Sequence, residues 1–259
     1  MVVLEVVFAA AFGLVFGSFA NVLIYRVPLG ERISWPPSHC TSCDTTINWY
    51  LNVPVLSWIF LRGKCAACGA RISPGYPLVE SAMGAFFVLN VLWWGLNAGA
   101  AAGCAFSFLC IVLGLIDLEH HLLPDLLTYP GIAAGILFSP FVPWTDFRGS
   151  IIGILVGAAL PGVLIGVYAL FGIDAMGWGD VKFLAMIGAF LGWQEVLLTI
   201  LLGSLLGSLV GGAYLAATRK GRRTPLPFGT FLSAATICVL FFGPAVWAWY
   251  VSRLTGLVP

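Results

Sequence analysis

The segment GSIIGILVGAALPGVLIGVYALFG, residues 149–172, contains no charged side chain. A helix of about 20 apolar residues is long enough to cross the hydrocarbon core of a bilayer. A strand of an outer-membrane barrel would instead alternate apolar and polar residues, and this segment does not. The segment therefore predicts a transmembrane helix and places the chain among helical membrane proteins.

The composition of the whole chain agrees with this class. Only 9% of its 259 residues are charged, where a soluble domain has about 25%, and 60% are hydrophobic. The 31 glycines suit close packing of helices in a membrane. This composition excludes a disordered chain, a secreted disulfide scaffold and a free nucleic-acid binder, so we expect no nucleic-acid partner.

Seven further apolar segments predict spans, which gives an all-α polytopic membrane protein with about eight transmembrane helices. The segment at 181–192 is short, and the sequence leaves open whether it crosses the bilayer fully. The eight predicted spans are residues 2–25, 78–96, 100–116, 126–142, 149–172, 181–192, 196–218 and 231–251.

Basic residues set the predicted orientation, because Lys and Arg concentrate in cytoplasmic loops. With eight spans and the N-terminus outside, ten of the 12 basic residues fall on the cytoplasmic side. A seven-span arrangement would put the cluster at 219–223 outside. We therefore predict cytoplasmic loops at 26–77, 117–125, 173–181 and 218–229.

Four of the seven cysteines form two Cys-x2-Cys pairs in the first cytoplasmic loop, Cys40 with Cys43 and Cys65 with Cys68. Such pairs each present two thiolates to one cation, and the spacing is close to that of zinc ribbons. We predict a small zinc-binding loop domain with a structural ion, since four thiolates leave no open position for water. Two disulfides or redox pairs are the alternative, but a cytoplasmic loop disfavours stable disulfides.

We do not expect the other three cysteines or His39 to bind the metal ion. Cys104, Cys110 and Cys238 lie in apolar spans, where a cysteine behaves as a small hydrophobic residue. His39 precedes Cys40, and we expect it to be a solvent-exposed loop residue rather than a fifth ligand.

A first group of acidic residues, IDLEHHLLPD at 116–125, joins two predicted spans. Asp117 directly ends an apolar run and is the deepest carboxylate of this group. We expect Asp125, which follows Pro124, to cap the next helix. A metal site at His120 and His121 is a weaker hypothesis, because adjacent residues of a helix seldom bind one ion.

A second group, GWGDVK at 177–182, opens the short apolar segment. We expect Gly177 and Gly179 to adopt dihedral angles closed to other residues and to let the backbone approach a neighbour. Asp180 would then be held at a helix start. A simple loop capped by Asp180 is the alternative, and Asp174 competes for the same role without flanking glycines.

Two carboxyl groups that face each other across one site share a proton, because like charges a few ångströms apart do not both ionise. The ionised group takes a proton from water, and the protonated group gives one to a carbonyl or a leaving amine. Both acidic groups lie on the predicted cytoplasmic face. They can therefore meet and perform the chemistry of an aspartic protease.

At these residues the sequence resembles the bacterial type IV prepilin peptidases, over nearly the whole chain. The four cysteines and both acidic groups stand at the spacing of that family, and Glu119 replaces a commoner Asp. Three further motifs carry the resemblance: Gly17-Ser18-Phe19-Ala20-Asn21-Val22 with Arg26, Tyr76-Pro77-Leu78-Val79-Glu80, and Pro225-Leu226-Pro227-Phe228-Gly229.

The resemblance implies catalytic aspartates at Asp117 and Asp180, supported by Gly177, Gly179 and Asp125. It implies cleavage of prepilin or pseudopilin leaders after a Gly, at the cytoplasmic face of the bacterial inner membrane, in type IV pilus assembly and type II secretion. Many members then methylate the new N-terminus with S-adenosylmethionine. The chain has no Gly-rich βαβ unit for this cofactor, so the residues that bind it stay unknown.

These features divide the chain into a first transmembrane helix at 1–25, a four-cysteine zinc domain at 26–77 and a transmembrane peptidase domain at 78–259. Two other functions are considered. A proton- or metal-ion-coupled transporter could use the same carboxylates, although they lie at the membrane face and no matching pair of broken helices is visible. A zinc-bearing membrane scaffold would leave two facing carboxylates without a role.

Overall fold

The structure of the chain is a computed structural model, and it describes residues 2–172, 176–218 and 226–255. Asp174, Pro225 and the basic residues Arg219, Lys220, Arg222 and Arg223 lie outside the described residues. Most of the predicted loop at 218–229 and part of the loop at 173–181 lie outside them as well.

The described residues form nine α-helices and no β-strand, with two short 3-10 turns at Trp49–Leu51 and Ser139–Phe141. Eight of the helices coincide one for one with the eight predicted spans, so the all-α fold class is confirmed. The ninth is a short helix within the cysteine-bearing loop. In chain order the helices are α1 Val2–Arg26, α2 Leu56–Phe60, α3 Gly75–Trp94, α4 Ala98–His120, α5 Asp125–Phe138, α6 Phe147–Ala169, α7 Trp178–Leu191, α8 Trp193–Thr218 and α9 Phe228–Thr255.

Among the described helices, six are long and apolar enough to cross a membrane: α1, α3, α4, α6, α8 and α9. The chain is therefore a multi-pass membrane protein. Helices α5 and α7 have 14 residues each, which gives a length of about 21 Å, against a hydrocarbon core of about 30 Å. The helix predicted over 126–142 is shorter than expected, because the chain passes into a 3-10 turn containing Pro140.

The chain divides into two compact units, residues 1–108 and 109–259, and the division falls within α4. In the first unit, α1 and α3 pack through small residues. A Cβ atom on Gly17 would lie 2.5 Å from the Cα of Glu80, and one on Gly13 would lie 2.7 Å from the Cα of Gly84. These two helices are therefore in backbone contact, as small residues allow in membranes.

Two motif residues of the first unit bind the cysteine-bearing loop. The buried Arg26 guanidinium donates hydrogen bonds to the carbonyl oxygens of Arg32, Ile33 and Pro36. The carboxylate of Glu80 accepts a hydrogen bond of 2.7 Å from the backbone N–H of Val55. Val55 has φ +61°, an uncommon conformation for a β-branched residue. Arg26 and Glu80 therefore tie the loop to the ends of α1 and α3.

The second unit is built around α7, which is buried from Phe183 to Leu191 and packs against α5, α6, α8 and α9. Glycines permit its closest contacts. A Cβ atom on Gly153 of α6 would collide with the carbonyl group of Gly188, and one on Gly135 of α5 would lie 2.7 Å from the Cβ of Ala189. This tight packing fixes the N-terminus of α7, where Asp180 lies.

We expect Gly153→Val to lower the stability of the second unit by about 3 kcal/mol or more, because the new side chain meets backbone that cannot move aside. The matched control is Gly162→Val in the same helix, where a Cβ atom would meet nothing within 4 Å. Thermal unfolding of the detergent-solubilised protein measures both. Equal midpoints for the two variants would contradict the backbone contact between α6 and α7.

Candidate active site and cysteine cluster

Asp117 and Asp180, the two carboxylates singled out by the sequence, line one cleft in the second unit. The cleft has a volume of about 370 Å³. Its walls come from the end of α4, the turn into α5, and the start of α7. The lining residues are Asp117, His121, Leu122, Leu123, Pro124, Asp125, Gly177, Gly179, Asp180 and Lys182.

Asp117 lies in the last turn of α4 with only 6% of its surface exposed. Its Oδ2 atom accepts a hydrogen bond of 2.8 Å from the backbone N–H of Thr230, at the start of α9. The Thr230 hydroxyl oxygen is 3.3 Å from the same Oδ2 atom. That hydroxyl also donates to the carbonyl oxygen of Gly114, 2.8 Å away. The carboxylate is therefore held from a helix more than a hundred residues later in the chain.

Asp180 is the third residue of α7, which begins after Gly177. Burial, and after it the negative charge of Asp117, raises the pKa of Asp180 to about 7, while a backbone hydrogen bond from Gly177 lowers it. The proximity of Asp117 thus has a direct electrostatic consequence. Near neutral pH the Asp180 carboxyl is able to carry a proton and donate it.

The expectation that the glycines around Asp180 take dihedral angles closed to other residues was wrong, whereas the expected close approach of the backbone to a neighbour is found at Gly179. Gly177 has φ −77° and ψ 146°, ordinary extended values, and Gly179 is not among the residues with positive φ. Gly179 is required for space instead, because a Cβ atom there would lie 3.0 Å from the Cβ of Leu123. Its role is the close approach of α7 to the turn before α5.

Asp125 does not cap α5, so this prediction was wrong. Pro124 occupies the N-cap position, and Asp125 is the first residue of the helix. Its carboxylate instead forms an ion pair of 2.5 Å with the ammonium group of Lys182 in α7. The Lys182 ammonium also lies 5.4 Å from the centre of the Tyr129 ring. Asp125 therefore links the starts of α5 and α7 at the cleft.

The two adjacent histidines do not form a metal site in the described residues. The imidazole of His120 lies 3.9 Å from the carboxylate of Glu119, and both are exposed. His121 has φ +53° and ends α4, with its backbone N–H bonded to the carbonyl oxygen of Asp117. His121 faces the cleft, and Glu119 does not line it.

The four loop cysteines come together in the first unit, as their spacing predicted. The two pairs have the same local structure. The N–H groups of Cys40 and Cys65 bond to the carbonyl oxygens of the residues five positions later, Thr45 and Ala70. A residue with positive φ, Asp44 or Gly69, follows four positions after the first cysteine of each pair. Each pair is therefore a tight knuckle.

The sulfur geometry fits one tetrahedral ion. All four Sγ atoms lie within 4.8 Å of one another, and those of Cys40 and Cys68 are 3.9 Å apart. Zinc–sulfur bonds of about 2.3 Å in a tetrahedron place the sulfurs about 3.8 Å apart. The cysteines are free thiols, so the disulfide alternative is not found here. His39 is not in the group, and its Nδ1 atom is 3.2 Å from the carbonyl oxygen of Pro37.

Sequence reasoning missed two residues of the cleft region. Thr230 contacts Asp117, but it follows the quoted motif at 225–229 by one position and carried no separate signal. Lys182, the last residue of the quoted segment 177–182, received no role, although it lines the same cleft as Asp180. The signal available for it was a basic residue in the same helical turn as a candidate catalytic aspartate.

Comparison with known proteins gives two family matches and a set of similar relatives. The Bacterial Peptidase A24 N-terminal domain matches residues 11–94, and the Type IV leader peptidase family matches residues 104–212. A prepilin leader peptidase/N-methyltransferase of Stutzerimonas stutzeri is 35% identical, covering 94% of this chain and 92% of that protein. One of the same name from Pseudomonas putida is 35% identical, covering 93% and 91%.

A relative from a third organism carries the same name. A prepilin leader peptidase/N-methyltransferase of Myxococcus xanthus is 39% identical over 84% of this chain and 66% of that protein. No solved structure matches the chain. The similarity thus extends through both compact units, and the two matched segments span the cysteine cluster and both carboxylates of the cleft.

Proposed function

Since the chain belongs to the type IV leader peptidase family, we propose that it removes the leader peptides of prepilins or pseudopilins with the carboxyl groups of Asp117 and Asp180. The observation that carries this proposal is the shared cleft of these two carboxyls. The test is incubation of the purified protein with a prepilin-like substrate and mass determination of both products. Absence of a cleaved leader would contradict the proposal.

The chemistry follows from the two protonation states. One carboxylate removes a proton from a water molecule, and the water oxygen attacks the carbonyl carbon of the scissile peptide bond. The other carboxyl group donates its proton to the carbonyl oxygen. When the C–N bond breaks, the first carboxyl group passes the proton it took from water to the leaving amine, and the other carboxyl group takes a proton back as the new carbonyl forms. The pKa of Asp180, about 7, supports a protonated partner at neutral pH.

Methylation of the new N-terminus is the second activity proposed. The relatives are named as N-methyltransferases as well as peptidases, and the donor that we propose is S-adenosylmethionine. This cofactor would supply a methyl group to the amine that cleavage releases. We assign no residue of this chain to its binding.

The membrane and orientation belong to the same proposal. We place the chain in the bacterial inner membrane with the N-terminus outside and with the dyad and the cysteine cluster at the cytoplasmic face. The distribution of basic residues supports this orientation. The similar proteins named above are peptidases, so they do not support the transporter alternative.

We propose that Cys40, Cys43, Cys65 and Cys68 bind one structural zinc ion. The separation of their sulfur atoms and the thiolate donor set support zinc over harder cations. The two knuckles lie in a loop with little buried apolar surface, and a metal is an effective staple for such a small domain.

The purified protein should contain about one zinc per chain, and Cys40→Ser should lose most of it because three thiolates bind far more weakly. Chelation should increase hydrogen exchange in residues 36–72 and leave the transmembrane helices protected. Cys104→Ser is the matched control, since Cys104 lies outside the cluster. Elemental analysis that finds no zinc, or only iron, would contradict the assignment.

A further inference from the structure

The motif Pro225-Leu226-Pro227-Phe228-Gly229 supplies neither of the two candidate catalytic carboxyl groups. Its last two residues begin α9, and Thr230 follows them. The backbone N–H groups of Gly229 and Thr230 both bond to the Asp117 carboxylate, the second over 2.8 Å to Oδ2. The start of α9 therefore contacts one member of the candidate pair directly.

Gly229 makes this approach possible. A Cβ atom at this position would lie 3.0 Å from both Cγ and Oδ2 of Asp117, and 3.1 Å from Cδ1 of Leu123. These distances are tighter than nine in ten real Cβ contacts. A side chain at position 229 would therefore push the N-terminus of α9 away from the carboxylate.

The Thr230 hydroxyl adds a tether between α9 and α4. It donates to the Gly114 carbonyl oxygen over 2.8 Å and lies 3.3 Å from Asp117 Oδ2. A hydroxyl has one proton, so it serves one acceptor at a time, while the backbone N–H stays on the carboxylate. The tether holds that N–H in place.

The two carboxyls therefore have unequal environments. N–H groups in the first turn of a helix, together with its dipole, favour the charged form of a carboxylate and oppose the effect of burial. Asp117 faces two such N–H groups from another helix. Asp180 receives one backbone hydrogen bond within its own turn and faces the charge of Asp117.

We propose that Gly229 and Thr230 are positioning residues that keep Asp117 ionised, so that Asp117 is the general base and Asp180 the general acid. This assignment rests on the proposed peptidase function. In the reaction the Asp117 carboxylate accepts a proton from water as the C–O bond forms. Asp180 gives its proton to the carbonyl oxygen. When the C–N bond breaks, Asp117 passes its proton to the leaving amine, and Asp180 takes one back from the hydroxyl group as the new carbonyl forms.

Other ionisable groups around the cleft also act on the pair, from each element that forms it. They are His121 at the end of α4, Asp125 at the start of α5, and Asp180 and Lys182 at the start of α7. Asp125 and Lys182 pair with each other. All of them stay unchanged in variants of Gly229 and Thr230, so a difference between those variants and the parent reports on α9.

The test is the pH dependence of kcat/KM for leader cleavage, which reports the essential acid and base of the free enzyme. Thr230→Val should move the acidic limb upward by about one pH unit, because one hydrogen-bonding group near a charge is lost. Thr230→Ser should restore the parent limb. Gly229→Ala should move it in the same direction and lower kcat/KM about tenfold or more. The basic limb, assigned to Asp180, should stay in place.

Thr236→Val is the matched control in α9, because Thr236 is a buried threonine whose hydroxyl has no hydrogen-bond partner among the described residues. We expect it to keep the parent pH profile. An unchanged acidic limb in both Thr230→Val and Gly229→Ala would overturn the proposal. A shift of the basic limb alone would also overturn it, because it would make Asp117 the acid.

A second measurement needs no turnover. In the Asp180→Asn variant, infrared spectroscopy measures the protonation of Asp117. The Asp117 signal is the carboxylic-acid band that is lost when Asp117→Asn is added. We expect this band to be absent at neutral pH and to appear as the pH is lowered. With Thr230→Val added, it should appear at a higher pH than without that substitution. A strong band at neutral pH would refute the assignment. Failure of the parent protein to cleave any leader would instead refute the peptidase proposal and leave the infrared result interpretable.

Discussion

Asp117→Asn and Asp180→Asn should each lower the rate of leader cleavage about a thousandfold. An amide neither accepts a proton from water at neutral pH nor donates one as a carboxylic acid does, and each role contributes about 10² to 10⁴ in rate. The two losses should not multiply in the double variant, because residues that act as a unit are strongly non-additive. Single-turnover cleavage of a prepilin-like substrate measures all three variants.

The control for this experiment is Asp125→Asn on the same cleft. It removes the ion pair with Lys182 and leaves both candidate catalytic carboxyls in place. A partly exposed ion pair contributes at most about 1 kcal/mol, so we expect a loss within about fivefold. Zinc content and thermal midpoint should match the parent in every variant. Normal cleavage by Asp180→Asn would refute the dyad.

The sequence was sufficient for the helices because a bilayer imposes one simple requirement. Every backbone polar group in hydrocarbon must be bonded internally, so a long apolar segment has to be a helix. That is why eight predicted segments coincide with eight helices. The length of α5 was harder to predict, since a short buried helix has the same apolar composition as a span, whereas the shortness of α7 was predicted.

The cysteine cluster was predictable for a similar reason. Two Cys-x2-Cys pairs carry their own local geometry, and the two knuckles repeat the same backbone bonds. The proximity of Asp117 and Asp180 could be predicted only because both were expected at the same depth on one membrane face. Whether both side chains line one cleft depends on the tertiary arrangement of the end of α4 and the start of α7, and sequence spacing does not contain that information.

The errors concern residues whose role depends on a distant partner. Asp125 looks like a helix cap in sequence, but Pro124 takes the cap position and Lys182 supplies an ion pair from another helix. Gly179 was expected to take unusual dihedral angles and to let the backbone approach a neighbour; only the close approach is found, and the neighbour is Leu123. In both cases local chemistry suggested a local role, and the tertiary neighbour determined the actual one.

A substrate variant should have the second large effect. We expect replacement of the Gly before the scissile bond by Val to lower the cleavage rate about a hundredfold. A displacement of the reacting atoms by about 1 Å lowers a reaction rate by about that factor. The resemblance to the prepilin peptidases implies a Gly at this position, in a leader that continues into a long apolar helix. A peptide bond within a helix has its carbonyl group bonded, so it must unwind before attack. Glycine makes unwinding easier, and Val also has a bulkier side chain.

The surroundings of the dyad explain why bulk at this position matters. Gly179 lies so close to Leu123 that a Cβ atom would be 3.0 Å away, and Gly229 lies as close to the Asp117 carboxyl. The walls beside the two carboxyls are therefore set by backbone and by a buried leucine, which do not move aside for a branched side chain. We expect the leader charges to lie farther from the dyad, where solvent screens them. Reversing one such charge should change the rate by no more than about fivefold.

The measurement is the cleavage rate of matched peptides with Gly, Ala or Val before the scissile bond. A Val substrate cleaved at a near-normal rate would refute the positioning argument and leave the dyad assignment intact.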